Sequence, residues 1–297
     1  MTVIVAGQNH IVAIEKEIRN DSFEQAQNIV RFLGLWRDQN LNAVRAIAKM
    51  AIARGLKSSV ELQNDLRLMH ETHPSFFDVM VADANGKTFG SDPPIGPRGD
   101  SLIGVSFAER KYYQDVSRIQ QPLVSDVFLA TKGAHFPIVC FVIPIFSGDD
   151  QPVFSGYARG SVDVRGLTEH IRLMISNPSF KFILSDTQDQ VVASIDENIK
   201  PLMSIRDFVP EGFHVDSVST YKRLPVDTVS PIPYRSWRET NYGTSLPVPG
   251  FGWRVYVETN LSHYTRSTDT VIMQIFGEML ALACIGIGFS VVMIAWI

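Results

Sequence analysis

Residues 77 to 91, FDVMVADANGKTFGS, and residues 180 to 194, FKFILSDTQDQVVAS, share one pattern. Laid over one another without a gap, they match Phe77 with Phe180, Asp83 with Asp186 and Ser91 with Ser194. Each has an apolar run, a cluster of turn residues and a second run, which is the pattern of a β-hairpin. Three identities say little on their own. At the same offset, however, IPI (143 to 145) meets LPV (246 to 248), and each leads into a closing strand, GYARGSVDV and GWRVYVETN. The recurring order of hairpin, loop region and closing hairpin predicts two similar sheet modules in tandem.

Within the first module, the turn residues Asp83, Asn85 and Gly86 close the first hairpin. DANG lacks the further oxygen ligands and closing glutamate of a calcium loop, so it reads as a turn. A Gly/Pro-rich loop, Pro93 to Gly99, follows, and SFAERKYYQD (106 to 115) reads as a short helix. Three strands complete the sheet: LVSDVFLA (123 to 130), FPIVCFVIPIF (136 to 146) and SGYARGSVDV (155 to 164), with SGDD (147 to 150) as a turn. HIRLMI (170 to 175) predicts a helix joining the modules. The second module is looser between Asp196 and Pro249, where prolines and glycines accumulate.

Upstream the period changes. Ile11, Ile14, Ile18, Ala26, Ile29, Leu33 and Trp36, then Val44, Ile47 and Ala51, follow helical spacing, and no proline occurs before Pro74. The pattern predicts one helix of about 45 residues, longer than a globular domain requires, so it is expected to pack on its own domain and on a second copy. Gly55 ends it, and SSVE (58 to 61) predicts a capping box opening a second helix to about His70. Two helices followed by an antiparallel sheet make an α+β chain.

The 297 residues carry a formal net charge of −4 with 45% hydrophobic content, and no Lys/Arg run provides a nucleic-acid surface. Two cysteines, Cys140 and Cys284, build neither a disulfide framework nor a cysteine metal site. The histidines are scattered, no serine sits in a nucleophile elbow and no glycine loop cradles phosphate, so no enzyme, cofactor or metal site is expected. From Met279 to Ile297 there is no charge, and the segment 274–297 is long enough to cross a bilayer. MTVIVAGQNH is too short an apolar run for a signal peptide or span. Because the sequence stops within an apolar segment, a fragment of a longer membrane protein is expected.

VADANGKTFGS, GVSFAERKYYQDV, PLVSDVF, FSGYARGSVDV and GWRVYVETNLS together resemble the double Cache family, the tandem PAS-like extracytoplasmic sensor domains of bacterial receptors. The resemblance implies a long N-terminal signalling and dimerisation helix with a second helix (8–72), a membrane-distal module (73–168), a membrane-proximal module (169–266) and the transmembrane helix (274–297). It implies a periplasmic, inner-membrane homodimer whose distal module binds a small molecule and signals to a kinase, cyclase or chemotaxis region absent from this chain. Some members share an amino-acid-binding pattern. Arg110 and Tyr113 match it, Tyr112 stands where a tryptophan would, Asp163 matches the last aspartate, Asp126 stands for the middle one, and Val105 replaces an expected aromatic.

These residue types suit a zwitterion. A guanidinium such as Arg110 holds a carboxylate through parallel hydrogen bonds, Asp126 and Asp163 would receive an ammonium, and Tyr112, Tyr113 and Phe128 would exclude water. Lys111 is expected to face solvent. The expected ligand is an amino acid, an amine or a small carboxylate. The alternative function is a membrane-anchored dimerising scaffold whose pocket is filled by side chains.

Overall fold

A computed structural model of the chain describes residues 2–130, 135–148, 151–175, 179–208, 219–223 and 241–260. The expected turn at 147–150 lies partly outside these residues, and the apolar segment 274–297 lies wholly outside them. Among the described residues, no helix is long and apolar enough to cross a membrane.

Helix α1, Thr2–Ala53, is a single helix of 52 residues. Its buried stripe includes Ile29, Leu33, Val44, Ile47 and Ala51, the positions that the helical spacing marks. Gly55, at φ +74°, follows its end. Helix α2, Val60–Thr72, is capped by Ser59, whose hydroxyl accepts from the Leu62 N–H. The cap therefore sits one residue later than the expected Ser58, which puts Glu61 at the second helical position instead of the third.

The first sheet contains β1 (Phe76–Asp83), β2 (Thr88–Asp92), β3 (Leu123–Val124), β4 (Phe128–Leu129), β5 (Pro137–Ser147) and β6 (Val153–Asp163). Its order is β2-β1-β6-β5-β3, with β4 also pairing β5. Helix α3, Lys111–Ile119, lies between β2 and β3, and α4, Val164–Met174, follows β6. The second sheet comprises β7 (Phe180–Ser185), β8 (Val191–Ser194), β9 (Ser219–Arg223), β10 (Asn241–Val248) and β11 (Trp253–Asn260), in the order β8-β7-β11-β10-β9. A short 3₁₀ turn, Ile205–Asp207, intervenes.

The repeat is exact down to register. Met80 faces Ser91 as Ile183 faces Ser194, and the ladder is interrupted between Val81 and Ala82 as it is between Leu184 and Ser185. The matched aspartates do the same work. Asp83 Oδ1 accepts the N–H groups of Asn85 and Lys87, and Asp186 Oδ1 those of Gln188 and Gln190. Each carboxylate thus satisfies two backbone donors that the turn leaves without strand partners.

The stretch LVSDVFLA is not one strand as expected. It breaks into β3 and β4 because Ser125 turns inward: its N–H donates to the Cys140 carbonyl, and its hydroxyl accepts from the Cys140 N–H. The intervening Asp126 and Val127 then face away from the sheet toward the turn at Asp186 and Thr187.

Among the described residues the chain divides into two compact units, one taking in 2–22, 220–223, 241–243 and 258–260 and the other lying within 23–219 and 244–257. In the first, Ile14, Ile18 and Tyr242 cluster, Tyr242 donates to Glu15, and Asn260 donates to Asn241. The second holds the whole first sheet and most of the second. Within it, Trp36 of α1 meets Phe141 of β5 edge-on at 4.9 Å and stacks at 6.3 Å with Phe251, in the turn between β10 and β11. Gln63 of α2 exchanges two hydrogen bonds with the backbone of Ser91, covering the free edge of β2.

Candidate ligand-binding site

Helix α3 builds the site. It has too few residues to be stable alone and is held by Tyr112 and Val116, which are buried on one face at i, i+4 spacing. Lys111 lies on the exposed side and reaches Asp115 and Asp126, each at 3.0 Å. Gln120, in the left-handed conformation at φ +56°, ends the helix. Arg110 stands at the N-cap, its guanidinium 5.7 Å from the centre of the Phe128 ring.

Two cavities adjoin Arg110 and Phe128. The first, of about 240 Å³, opens over the first sheet, and its walls also include Phe77, Asp78, Leu102, Phe107, Ala130 and Arg159. The second, of about 430 Å³, is bounded by Tyr112, Asp115, Asp126, Thr187 and Gln190.

Sequence reasoning missed Arg159 and Asp78. Arg159 is 5% exposed. Its Nη2 donates to both oxygens of Asp78 at 2.8 and 2.9 Å, and its Nη1 donates to the Tyr112 hydroxyl at 2.9 Å. The guanidinium also lies 5.4 Å from the ring centres of Phe107 and Tyr112. Burial opposes its charge, but Asp78 and the phenol of Tyr112 prevail and hold its pKa well above the usual range. Burial also pushes the Tyr112 phenol up to about 12, with the Arg159 charge working against it. Each residue sits mid-strand in an apolar run, FFDVMV and YARGSV. A charge there survives only when paired, and that was the available signal.

The expected site residues are only partly brought together. Arg110 and Phe128 line both cavities, and Tyr112 lines the second. Tyr113 lines neither; its hydroxyl donates to the Ala84 carbonyl at 2.8 Å, fastening α3 to the first hairpin. Asp126 borders only the second cavity, where Oδ1 accepts from the Thr187 hydroxyl and N–H at 2.6 and 3.2 Å. Asp163 borders neither. Its carboxylate caps α4 by accepting the Arg165 N–H at 2.9 Å and also holds the Arg165 guanidinium. Among the described residues, no group of three His, Cys, Asp or Glu side chains is placed to hold a metal ion.

The segment between β3 and β4 also joins the sheets. Val127 N–H donates to Asp186 Oδ2 at 3.0 Å, beside the Asp126–Thr187 contacts. Burial raises the Asp186 pKa, and the backbone donors on its oxygens only partly offset that effect.

The sequence matches no family model and no curated protein. Solved structures do match. An extracellular ligand-binding receptor from Desulfohalobium retbaense is 14% identical at a TM-score of 0.60, over 81% of this chain; the match spans only 40% of that receptor's chain. The ligand-binding domain of the Pseudomonas aeruginosa amino acid chemoreceptor PctB, in complex with L-Gln, is 13% identical at a TM-score of 0.61, over 86% of this chain and 98% of that one. The ligand-binding domain of the Pseudomonas fluorescens chemoreceptor CtaA, in complex with L-serine, is 15% identical at a TM-score of 0.58, over 84% and 97%. At such identities the likeness is one of fold. The chain has the double Cache-type fold of extracellular ligand-binding sensor domains, with a long N-terminal helix and two antiparallel sheets in tandem.

Proposed function

We propose that this chain is the extracytoplasmic sensor domain of a membrane receptor, binding a small molecule in the cavity over the first sheet. The observation that carries the reading is that cavity: mostly apolar walls that include two guanidiniums, Arg110 at the start of α3 and Arg159 on β6. Neighbours of the same fold are described as binding amino acids, which supports a ligand of that size. In this reading the first sheet belongs to the membrane-distal module, and the apolar C-terminal segment anchors the chain in the inner membrane. The protein is periplasmic, and α1 pairs with a second copy. Signal leaves through the membrane to an output region outside this chain.

Isothermal titration of the full chain in mild detergent, against amino acids, amines and small carboxylates, tests the proposal. A ligand whose binding disappears in Arg110→Ala is the expected result. Binding that persists in Arg110→Ala would move the ligand out of this cavity, and silence across the panel would favour a scaffold.

A further inference from the structure

Resting on that reading of the cavity, we propose that it selects a monocarboxylate with an apolar body over the corresponding amino acid. The charges on its walls point this way. Two guanidiniums, Arg110 and Arg159, line it against one carboxylate, Asp78. Both oxygens of Asp78 already accept from Arg159 Nη2. Arg159 is buried, yet its Nε has no hydrogen-bond partner among the described residues. Two guanidiniums set against a single carboxylate favour an anion at this wall.

The other half of a zwitterion finds neither of the aspartates expected for it in this cavity. Asp126 borders the second cavity and is held by Lys111 and Thr187, while Asp163 caps α4 and holds Arg165. Apart from Asp78, the uncharged walls of this cavity are mostly apolar, among them Ala130, Ile138 and Phe128. The one carboxylate an ammonium would meet there, Asp78, is already neutralised by Arg159. The volume, about 240 Å³, lies below the ~300–1,000 Å³ of drug-sized ligand pockets. It therefore suits an acid of roughly seven to nine non-hydrogen atoms, with a branched aliphatic body against Met80, Leu102 and Phe107.

The test compares molecules that differ only in the amino group: isovalerate against valine, and isocaproate against leucine, with isoamylamine as the amine alone. Isothermal titration of the full chain in mild detergent is expected to show each carboxylate binding at least about tenfold more tightly than its amino acid, and the amine not binding. Ala130→Asp, which adds a carboxylate to the wall, is expected to narrow or reverse that ratio, whereas Asp163→Asn should leave it unchanged. Should valine or leucine bind as tightly as its carboxylate, with both lost in Arg110→Ala, the ligand class is wrong while the site stands. Should the carboxylates bind equally well to Arg110→Ala and Arg159→Met, the site itself is wrong. Silence from both carboxylates overturns the ligand class and leaves the site to be judged by the broader panel.

Discussion

Arg159 and Asp78, on adjacent strands β6 and β1 of the first sheet, form a buried ion pair in which one guanidinium nitrogen donates to both carboxylate oxygens, at 2.8 and 2.9 Å. Removing one partner leaves the other charged in an apolar layer. Asp78→Ala is therefore expected to destabilise the protein by about 3–5 kcal/mol, whereas the double replacement Asp78→Leu with Arg159→Met recovers most of that loss. Urea unfolding followed by tryptophan fluorescence separates the two. A single mutant as stable as the parent would contradict the pairing.

Gly156 sits at φ +146° on β6, where an added Cβ would lie 2.1 Å from the Ala82 carbonyl oxygen. Gly156→Ala must push β1 and β6 apart at that point. The expected cost is above the roughly 1 kcal/mol typical of a point substitution, in the range of about 2–4 kcal/mol. Gly166→Ala, with open space at its Cβ on α4, serves as the control and should be neutral or mildly stabilising.

Asp186 gives a pH signature. Burial raises its folded pKa above the usual carboxylate value of 3.8. A raised folded pKa means that the native state holds the proton more tightly than the unfolded chain. The stability this contributes is complete below the unfolded pKa and is lost as pH rises through the folded one. The stability difference between the parent and Asp186→Asn should therefore shift against the parent from about pH 4 upward. Urea titrations at several pH values check the sign; a difference that moves the other way would contradict it.

Asp126, Val127, Asp186 and Thr187 link the two sheets directly. A ligand that presses on Arg110 and Phe128 acts on the same segment that holds the second hairpin's turn. Ligand addition is expected to slow amide hydrogen exchange at residues 186–190, and Thr187→Val should weaken that response while lowering stability by only about 0.5–1.5 kcal/mol. Exchange at the turn that ignores the ligand would contradict this coupling.

Much of the fold was legible because the repeat governs it. Two hairpins of the same register, carrying Asp83 and Asp186 in the same turn role, follow from the sequence pattern. The helical stripe of α1 was legible for the same kind of reason: period alone marks which side is buried. The site was less legible because it depends on direction. Asp163 occupies a matching position, yet it precedes a helix and spends its carboxylate on the Arg165 N–H, the ordinary behaviour of an N-cap aspartate. Asp126 sits in an apparently continuous strand that Ser125 breaks, which turns the carboxylate toward the second sheet. Arg159 and Asp78 were visible as charges inside apolar runs, but they lie far apart in the chain, and only the β1–β6 pairing brings them together.

In the proposed reading the cavity over the first sheet is the ligand site and Arg110 is its anion-binding residue. The most direct measurement is isothermal titration of isocaproate into the full chain, Arg110→Ala and Ala130→Phe, the last filling the cavity from its wall. Saturable binding to the parent, lost in both variants while each still melts cooperatively, is the predicted result. Binding unchanged in both folded variants would contradict the account.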